Sequence, residues 1–389
     1  METKDVPVKG RLTRLMGTWD VRAYTMIGAL LFIWLLFGML DSTFLTSRNL
    51  SNLFTQMSVI SILAIGMVLV IVAGHIDLSV GSVVGFTGGL SAILSTWLGF
   101  PIWVVVLGTL AAGACIGFVQ GWLVAYRAVP AFIVTLGGMM VFRGALMGVT
   151  NSTTISISDP AYVLLGDAYF TRGFSLIMVV LVTGAIIWST MRRRRSRRKY
   201  GFEVMPVGVD ALKIIFYSAL ILAFVLTMNN YKGVPLPIGF VILSALVFSF
   251  IAHKTSFGRH IYAIGGNPEA AALSGINIKS RTMMVFLLNG LLASIAALLL
   301  TSRLTSATIS AGQMYELDAI AACVIGGTSL MGGTGTILGA LIGSLVMASL
   351  DNGMSLMGVE SFWQYIVKGS ILVLAVWLDI SSRKRKVAK

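Results

Sequence analysis

Charge is what this sequence has least of: 11% of its 389 residues are Asp, Glu, Lys or Arg, whereas 57% are hydrophobic and the mean hydropathy is +0.90. So little polar surface cannot cover a water-soluble globule of that length, which excludes a soluble enzyme and places the chain in a bilayer. Cysteine is scarce too. Cys115 and Cys323 each lie inside an apolar segment, with no disulfide framework and no metal-ligand spacing. A phosphate-cradling loop is missing: no Gly-x-x-x-x-Gly-Lys-Ser/Thr occurs, and neither Lys254-Thr255 nor Lys279-Ser280 follows the glycines it needs. Any ATP chemistry must come from another chain. His-Glu-x-x-His, Gly-x-Ser-x-Gly and paired-Asp metal motifs are equally absent, so the sequence offers no catalytic residue, metal site or cofactor of its own.

Acids number 15 against 29 bases, for a net charge of +14. The bases fall in short loops and at the ends, which is positive-inside topology and not a nucleic-acid-binding face. Five lie in residues 1–24, seven in Arg192–Lys199 and five in the tail Arg383–Lys389, so both termini are expected in the cytoplasm. Arg127 and the loop Lys254–Arg281 join them inside, leaving Arg48, Arg172, Lys232 and Arg303 for the outer loops. The run 192–199 reads as an anchor on anionic lipid. No small-x-small cleavage site follows the first apolar run, so Thr25–Leu40 reads as a retained span.

What the chain does have is a succession of apolar runs near 25–40, 57–73, 79–97, 102–120, 129–149, 174–191, 211–228, 235–252, 282–302 and 362–378. They predict an all-α polytopic membrane protein of about ten transmembrane helices with discontinuous or re-entrant glycine-rich segments. The implied organisation is a cytoplasmic segment 1–24, a membrane domain 25–380 with a cytoplasmic loop at 254–281, and a basic cytoplasmic tail 381–389. Two further stretches, 319–331 and 336–350, are short for an apolar core of about 30 Å and read as half-helices around Gly326–Gly335; full crossings there would raise the count to twelve. Irregular backbone at that depth requires protein or a water-filled cavity around it. Asp77, in the similar interruption Val72–Gly81, needs a surface position or a partner, for which His75 is the candidate. A loose likeness between Val72–Gly81 and Val324–Gly339 hints at pseudo-symmetric halves. Lys368, inside the last apolar run, is expected to snorkel or to pair with an acid such as Asp351.

The loop Phe257–Arg281 is a polar island between long apolar runs. Asn267 is a good N-cap, Pro268 suits the first helical position, Glu269 the positive helix end, Ala270 and Ala271 propagate the turn and Gly275 stops it. A rigid peg about 10 Å long results. The same residues also suit an ordinary amphipathic turn. The peg resembles the coupling loop of ABC-importer permeases, which seats in a groove of the ATPase subunit. Together with Gly74-His-Ile-Asp-Leu-Ser-Val-Gly81, Val129-Pro-Ala-Phe-Ile-Val-Thr-Leu-Gly137, Phe142-Arg-Gly144 and Ala321–Gly335, it makes the chain similar to the monosaccharide branch of that family from about Ser42 onward. The tail Ala348-Ser-Leu-Asp-Asn-Gly-Met-Ser-Leu-Met357 with Phe362-Trp-Gln-Tyr-Ile-Val-Lys-Gly369 looks most like the xylose-carrying members. The composition of the Arg-rich run 192–199 is the most evident departure, and it touches none of these motifs.

The resemblance implies an inner-membrane homodimer that imports a monosaccharide. Its partners would be ATP-binding cassettes on the cytoplasmic side, as two chains or one fused tandem that hold ATP and Mg2+, and a periplasmic sugar-binding protein outside. A sugar hydroxyl left unpaired in an apolar passage costs about 1–3 kcal/mol, so the passage needs modest polar groups. His75, Asp77, Ser79, Asn289, Thr328, Ser329 and Asn352 are the candidates, each equally suited to hydrogen bonding between helices. Two rivals stay open on the residues alone. One is an ion-gradient-driven secondary sugar transporter, with Asp77 as its carboxylate, and the other a passive channel or scaffold.

Overall fold

The computed structural model describes residues 21–202, 204 and 206–387. Most of the expected N-terminal segment, 1–20, and the last two residues of the tail lie outside the described residues. Every expected span contains a helix: α1 (Val21–Leu40), α2 (Ser47–Val72), α3 (Val80–Ala92, closed by a π-helical turn Ile93–Trp97), α4 (Ile102–Tyr126) and α5 (Ala131–Val149) in the first half. A short helix α6 (Pro160–Asp167) follows, then α7 (Arg172–Lys199), α8 (Val207–Asn229), α9 (Leu236–Lys254), α10 (Ser256–Gly266), α11 (Pro268–Leu273), α12 (Ile278–Leu304), α13 (Tyr315–Ile325), α14 (Ile337–Leu356) and α15 (Ser361–Val387). Among the described residues nine helices are long and apolar enough to cross a bilayer, and apolar parts of α1 and α15 are somewhat shorter.

Helix α2 is the axis. It is apolar around its whole circumference, the pattern of a helix enclosed by others, and every residue from Ser58 to Val72 is buried. Helices α9, α12, α13 and α14 pack round it. Helix α4 meets α12 through Gly113, Gly117 and Gly121, a small-x-x-x-small row on which any Cβ would strike the α12 backbone around Met283, Phe286 and Gly290. Helices α7, α8 and α15 turn apolar side chains such as Leu181, Phe216 and Trp377 outward, as lipid-facing helices must.

Contacts at the helix ends level the bundle. At one face Asn49 and Asn352 exchange hydrogen bonds of 2.7 and 3.0 Å, and Arg303 reaches Asn52 at 3.3 Å, which brings together the start of α2 and the ends of α12 and α14. Two short antiparallel pairings lie in the connections, β1 (Ile155–Ser156) with β4 (Ser306–Ala307) and β2 (Tyr169–Phe170) with β3 (Val234–Pro235). At the opposite face the Gly333 amide bonds the Val72 carbonyl at 2.9 Å and α10 packs alongside. The chain between α12 and α14 thus runs from one face to the other, with α13 as its only helical part.

Helix α14 corrects one expectation. The stretch 336–350 is not a half-helix but the start of a 20-residue helix that continues to Leu356. Its polar residues do not stop it because each is matched: Asn352 by Asn49, Asp351 by Lys368 at 2.8 Å. Helix α13 is the true half-helix, 11 residues or about 16 Å.

Candidate functional site

The peg is α11, on the face opposite Arg303. The Asn267 side chain accepts from the Ala270 amide at 3.0 Å, Pro268 opens the helix, and Gly275 ends it at φ +79, a left-handed conformation that glycine adopts without strain. Ala271 is buried against the body, whereas Asn267–Ala270 and Ala272–Gly275 are exposed. Leu273 stands out at 90% exposure, an apolar tip with no intramolecular partner that the sequence pattern did not single out.

Deep in the bundle, the break between α2 and α3 carries a closed hydrogen-bond chain. Gln120 Nε2 donates to Ser79 Oγ at 2.8 Å, Ser79 Oγ and the Ser79 amide donate to Asp77 Oδ1 at 2.7 and 2.8 Å, and Asn289 Nδ2 donates to Asp77 Oδ2 at 2.8 Å. Both carboxylate oxygens are thereby satisfied although Asp77 is only 3% exposed, which is how a charge tolerates such burial. His75 is not the partner: its ring lies half-buried against Phe286, with centroids 5.9 Å apart. The Asp-Leu-Ser spacing explains the difference, since a hydroxyl and an amide two residues on fold back on the carboxylate more readily than a preceding imidazole.

A second acidic group begins the half-helix. Glu316 and Asp318 are both buried in the first turn of α13, where the positive end of the helix favours them. Glu316 Oε2 lies so close to Gly81 that no Cβ would fit there, so the starts of α3 and α13 touch. Lys368 of α15 bridges Asp318 at 3.1 Å and Asp351 at 2.8 Å, and so ties α13, α14 and α15 together. Arg143 of α5 donates to the carbonyls of Ile309 and Ala311 at 3.0 and 3.2 Å and holds the turns at 309–314 that lead into α13.

Of the expected path residues, the structure unites Asp77, Ser79 and Asn289. Thr328 and Ser329 follow α13 near the far end of α2, the Thr328 side chain beside Gly335 and Val72. Asn352 lies apart at the Arg303 face. All six are at most 4% exposed, and His75 is half-buried. Gln120, Glu316 and Asp318 were missed, though each carried a signal: a lone Gln in an apolar run, and two acids in Tyr315-Glu-Leu-Asp318 just before another. The Arg303 face holds a polar cavity of about 740 Å³, lined among others by Arg48, Asn52, Tyr169, Lys232 and Arg303.

Residues 49–376 match the family described as branched-chain amino acid transport system / permease component. A xylose transport system permease protein of Haemophilus influenzae is 46% identical over 368 residues, covering 94% of this chain and 98% of that protein. The Escherichia coli K12 protein of the same description is 46% identical over 385 residues, 98% and 97% of the two chains. A ribose import permease protein of Escherichia coli K12 is 38% identical over 353 residues, 90% and 91%. No solved structure matches the chain.

Proposed function

The chain belongs to the branched-chain amino acid transport system / permease component family, and on that premise we propose that it is the multi-pass inner-membrane permease of an ATP-driven monosaccharide importer, with D-xylose as its sugar. The observation that carries the reading is α11, a capped, exposed peg with an apolar tip on a chain that has no phosphate-binding loop of its own. Asn267, Pro268, Glu269, Ala270, Ala271 and Gly275 shape the peg, and Leu273 adds the apolar contact that would seat in a cassette groove. The face carrying α11 is the cytoplasmic one, next to the basic runs, so that the N-terminal segment, the loop 254–281 and the basic tail share a compartment with ATP. ATP and Mg2+ are held by the cassette, as two chains or a fused tandem, and a second copy of this chain completes the membrane unit.

The periplasmic binding protein docks on the Arg303 face, where Arg48, Lys232 and Arg303 offer positive charge around the polar cavity. Sugar identity is checked mainly there, which leaves the permease to offer a gated, weakly binding route at His75, Asp77, Ser79, Asn289, Thr328, Ser329 and Asn352. The deciding experiment reconstitutes the chain with its co-purifying cassette in proteoliposomes and adds binding protein loaded in turn with xylose, ribose, arabinose, galactose and glucose. ATPase stimulation with uptake of xylose alone is expected. Stimulation by another sugar reassigns the substrate, and uptake that needs no ATP but collapses with the ion gradient overturns the importer.

A further inference from the structure

We propose that Tyr262 and Gly265 form a stiff joint through which the α11 peg moves the two interrupted segments of the membrane domain, the return loop after α13 and the break before Asp77. The inference rests on the importer reading and assigns the force path within it.

Helices α10 and α11 meet at one residue: Asn267 ends the first and caps the second, so a push on the peg is a push on α10. Helix α10 is seated firmly, with Ile261 and Ile264 buried and Gly258 against the carbonyls of Ile251 and Ala252. From its next turn the Tyr262 hydroxyl donates to the Gly335 carbonyl at 2.7 Å, one residue before the N-cap of α14. Gly265 lies directly on the Val72 carbonyl and the Gly333 amide, which are themselves bonded at 2.9 Å. Gly332 and Gly333 reach this contact in left-handed conformations, φ +85 and +71, and a Cβ on either would strike Gly265 or Gly266. Three chain segments thus meet backbone to backbone.

That construction has a mechanical consequence. Side chains between two elements can change rotamer and absorb a displacement, whereas bare backbone in contact transmits it. On one side of the joint the loop leads back through Ser329, whose amide bonds the Thr334 carbonyl at 2.9 Å, to the end of α13. On the other, Val72 is five residues from Asp77.

The test uses the complete complex in proteoliposomes, with loaded binding protein and xylose as the probe, and reads sugar imported per ATP hydrolysed. Tyr262→Phe keeps the ring and removes the hydroxyl; the ratio is expected to fall about fivefold, the factor corresponding to one net hydrogen bond, with hydrolysis in the absence of binding protein unchanged. Gly265→Ala is expected to lower the ratio further. Gly266→Ala is the control beside it, because its added Cβ meets nothing within 4 Å and should leave the ratio at the wild-type value. Should Gly265→Ala fail to assemble, Tyr262→Phe against Gly266→Ala decides alone. A wild-type ratio in Tyr262→Phe, or equal loss in Gly266→Ala, overturns the joint while the importer stands. Absence of ATP-driven uptake in the wild-type complex overturns both.

Discussion

Removing the charge of Lys368 probes how the half-helix α13 is held. The Nζ atom lies 3.1 Å from Asp318 Oδ2 and 2.8 Å from Asp351 Oδ2, and Asp318 is 1% exposed. Neither Asp318 Oδ1 nor Asp351 Oδ1 has a hydrogen-bond partner, so the lysine is the main compensation for the buried Asp318 carboxylate and the half-buried one of Asp351. Lys368→Met preserves the length of the stem and leaves both acids facing each other. Breaking a buried ion pair by removing one partner costs about 3–5 kcal/mol, whereas replacing the whole group by neutral residues of similar shape is often neutral. The single variant should therefore melt on the order of 5 °C below wild type. The triple variant Lys368→Met, Asp318→Asn, Asp351→Asn should recover most of that loss. Cys323, fully buried beside α2, provides the assay: its rate of reaction with a thiol-reactive fluorophore during heating reports unfolding, once Cys115 is replaced by alanine. A Lys368→Met protein that melts with wild type, or a triple variant less stable than the single, would refute the reasoning.

Glu269→Lys places a base at a positive helix end, at a cost of about 0.3–1 kcal/mol, too little to unfold the chain; membrane insertion should persist and ATP-dependent uptake should be lost. Gly275→Pro cannot adopt φ +79 and should give the same phenotype, and normal uptake in both variants would remove the docking role of α11. Asn289→Ala deletes a charge-assisted bond to Asp77 worth about 1.5–3 kcal/mol, and transport should drop at least tenfold at near-normal protein levels, as measured by labelled-xylose uptake. Gly81→Ala forces a methyl onto Glu316 and the Gly312 carbonyl, with an expected loss of about 1–3 kcal/mol in the same thiol-reactivity melt. Ser79→Cys, buried at rest, should react with a small hydrophilic thiol reagent only during ATP turnover; equal labelling without ATP would mean that the break does not open with transport.

The spans and the peg were legible because each rests on local chemistry. A run of apolar residues must be helical in lipid, and Asn267-Pro268-Glu269 with Gly275 specifies both ends of a short helix whatever surrounds it. The interruptions were legible as interruptions, since Asp77 and the glycines at 326–335 break otherwise apolar runs. What each polar residue touches was not. Asp77 binds Asn289, 212 positions away, and no local pattern points to that partner. Likewise Asp351 and Asn352 suggested an early end to α14 because their partners, Lys368 and Asn49, come from other helices. Lys368 with Asp351 was the exception, because a lone base in an apolar run demands an acid within reach.

The buried acids also bear on what drives transport. A carboxylate that couples an ion gradient must exchange its ion with each cycle, so it needs an oxygen free to bind it. Asp77 does not offer one: Ser79 occupies Oδ1 twice and Asn289 occupies Oδ2. Asp318 Oδ1 and Glu316 Oε2 do lack hydrogen-bond partners, but Asp318 is ion-paired with Lys368 through Oδ2 and Glu316 Oε2 is packed against Gly81 at the start of α3. All three acids stand at or just before the first turn of an interrupted helix, where backbone amides lack intrahelical acceptors and the helix end is positive. They are placed to hold two helix starts deep inside the protein, a need set by the broken fold itself. A neutral sugar requires no countercharge. On the proposed reading these acids shape the route, and the energy to open it enters at the exposed peg.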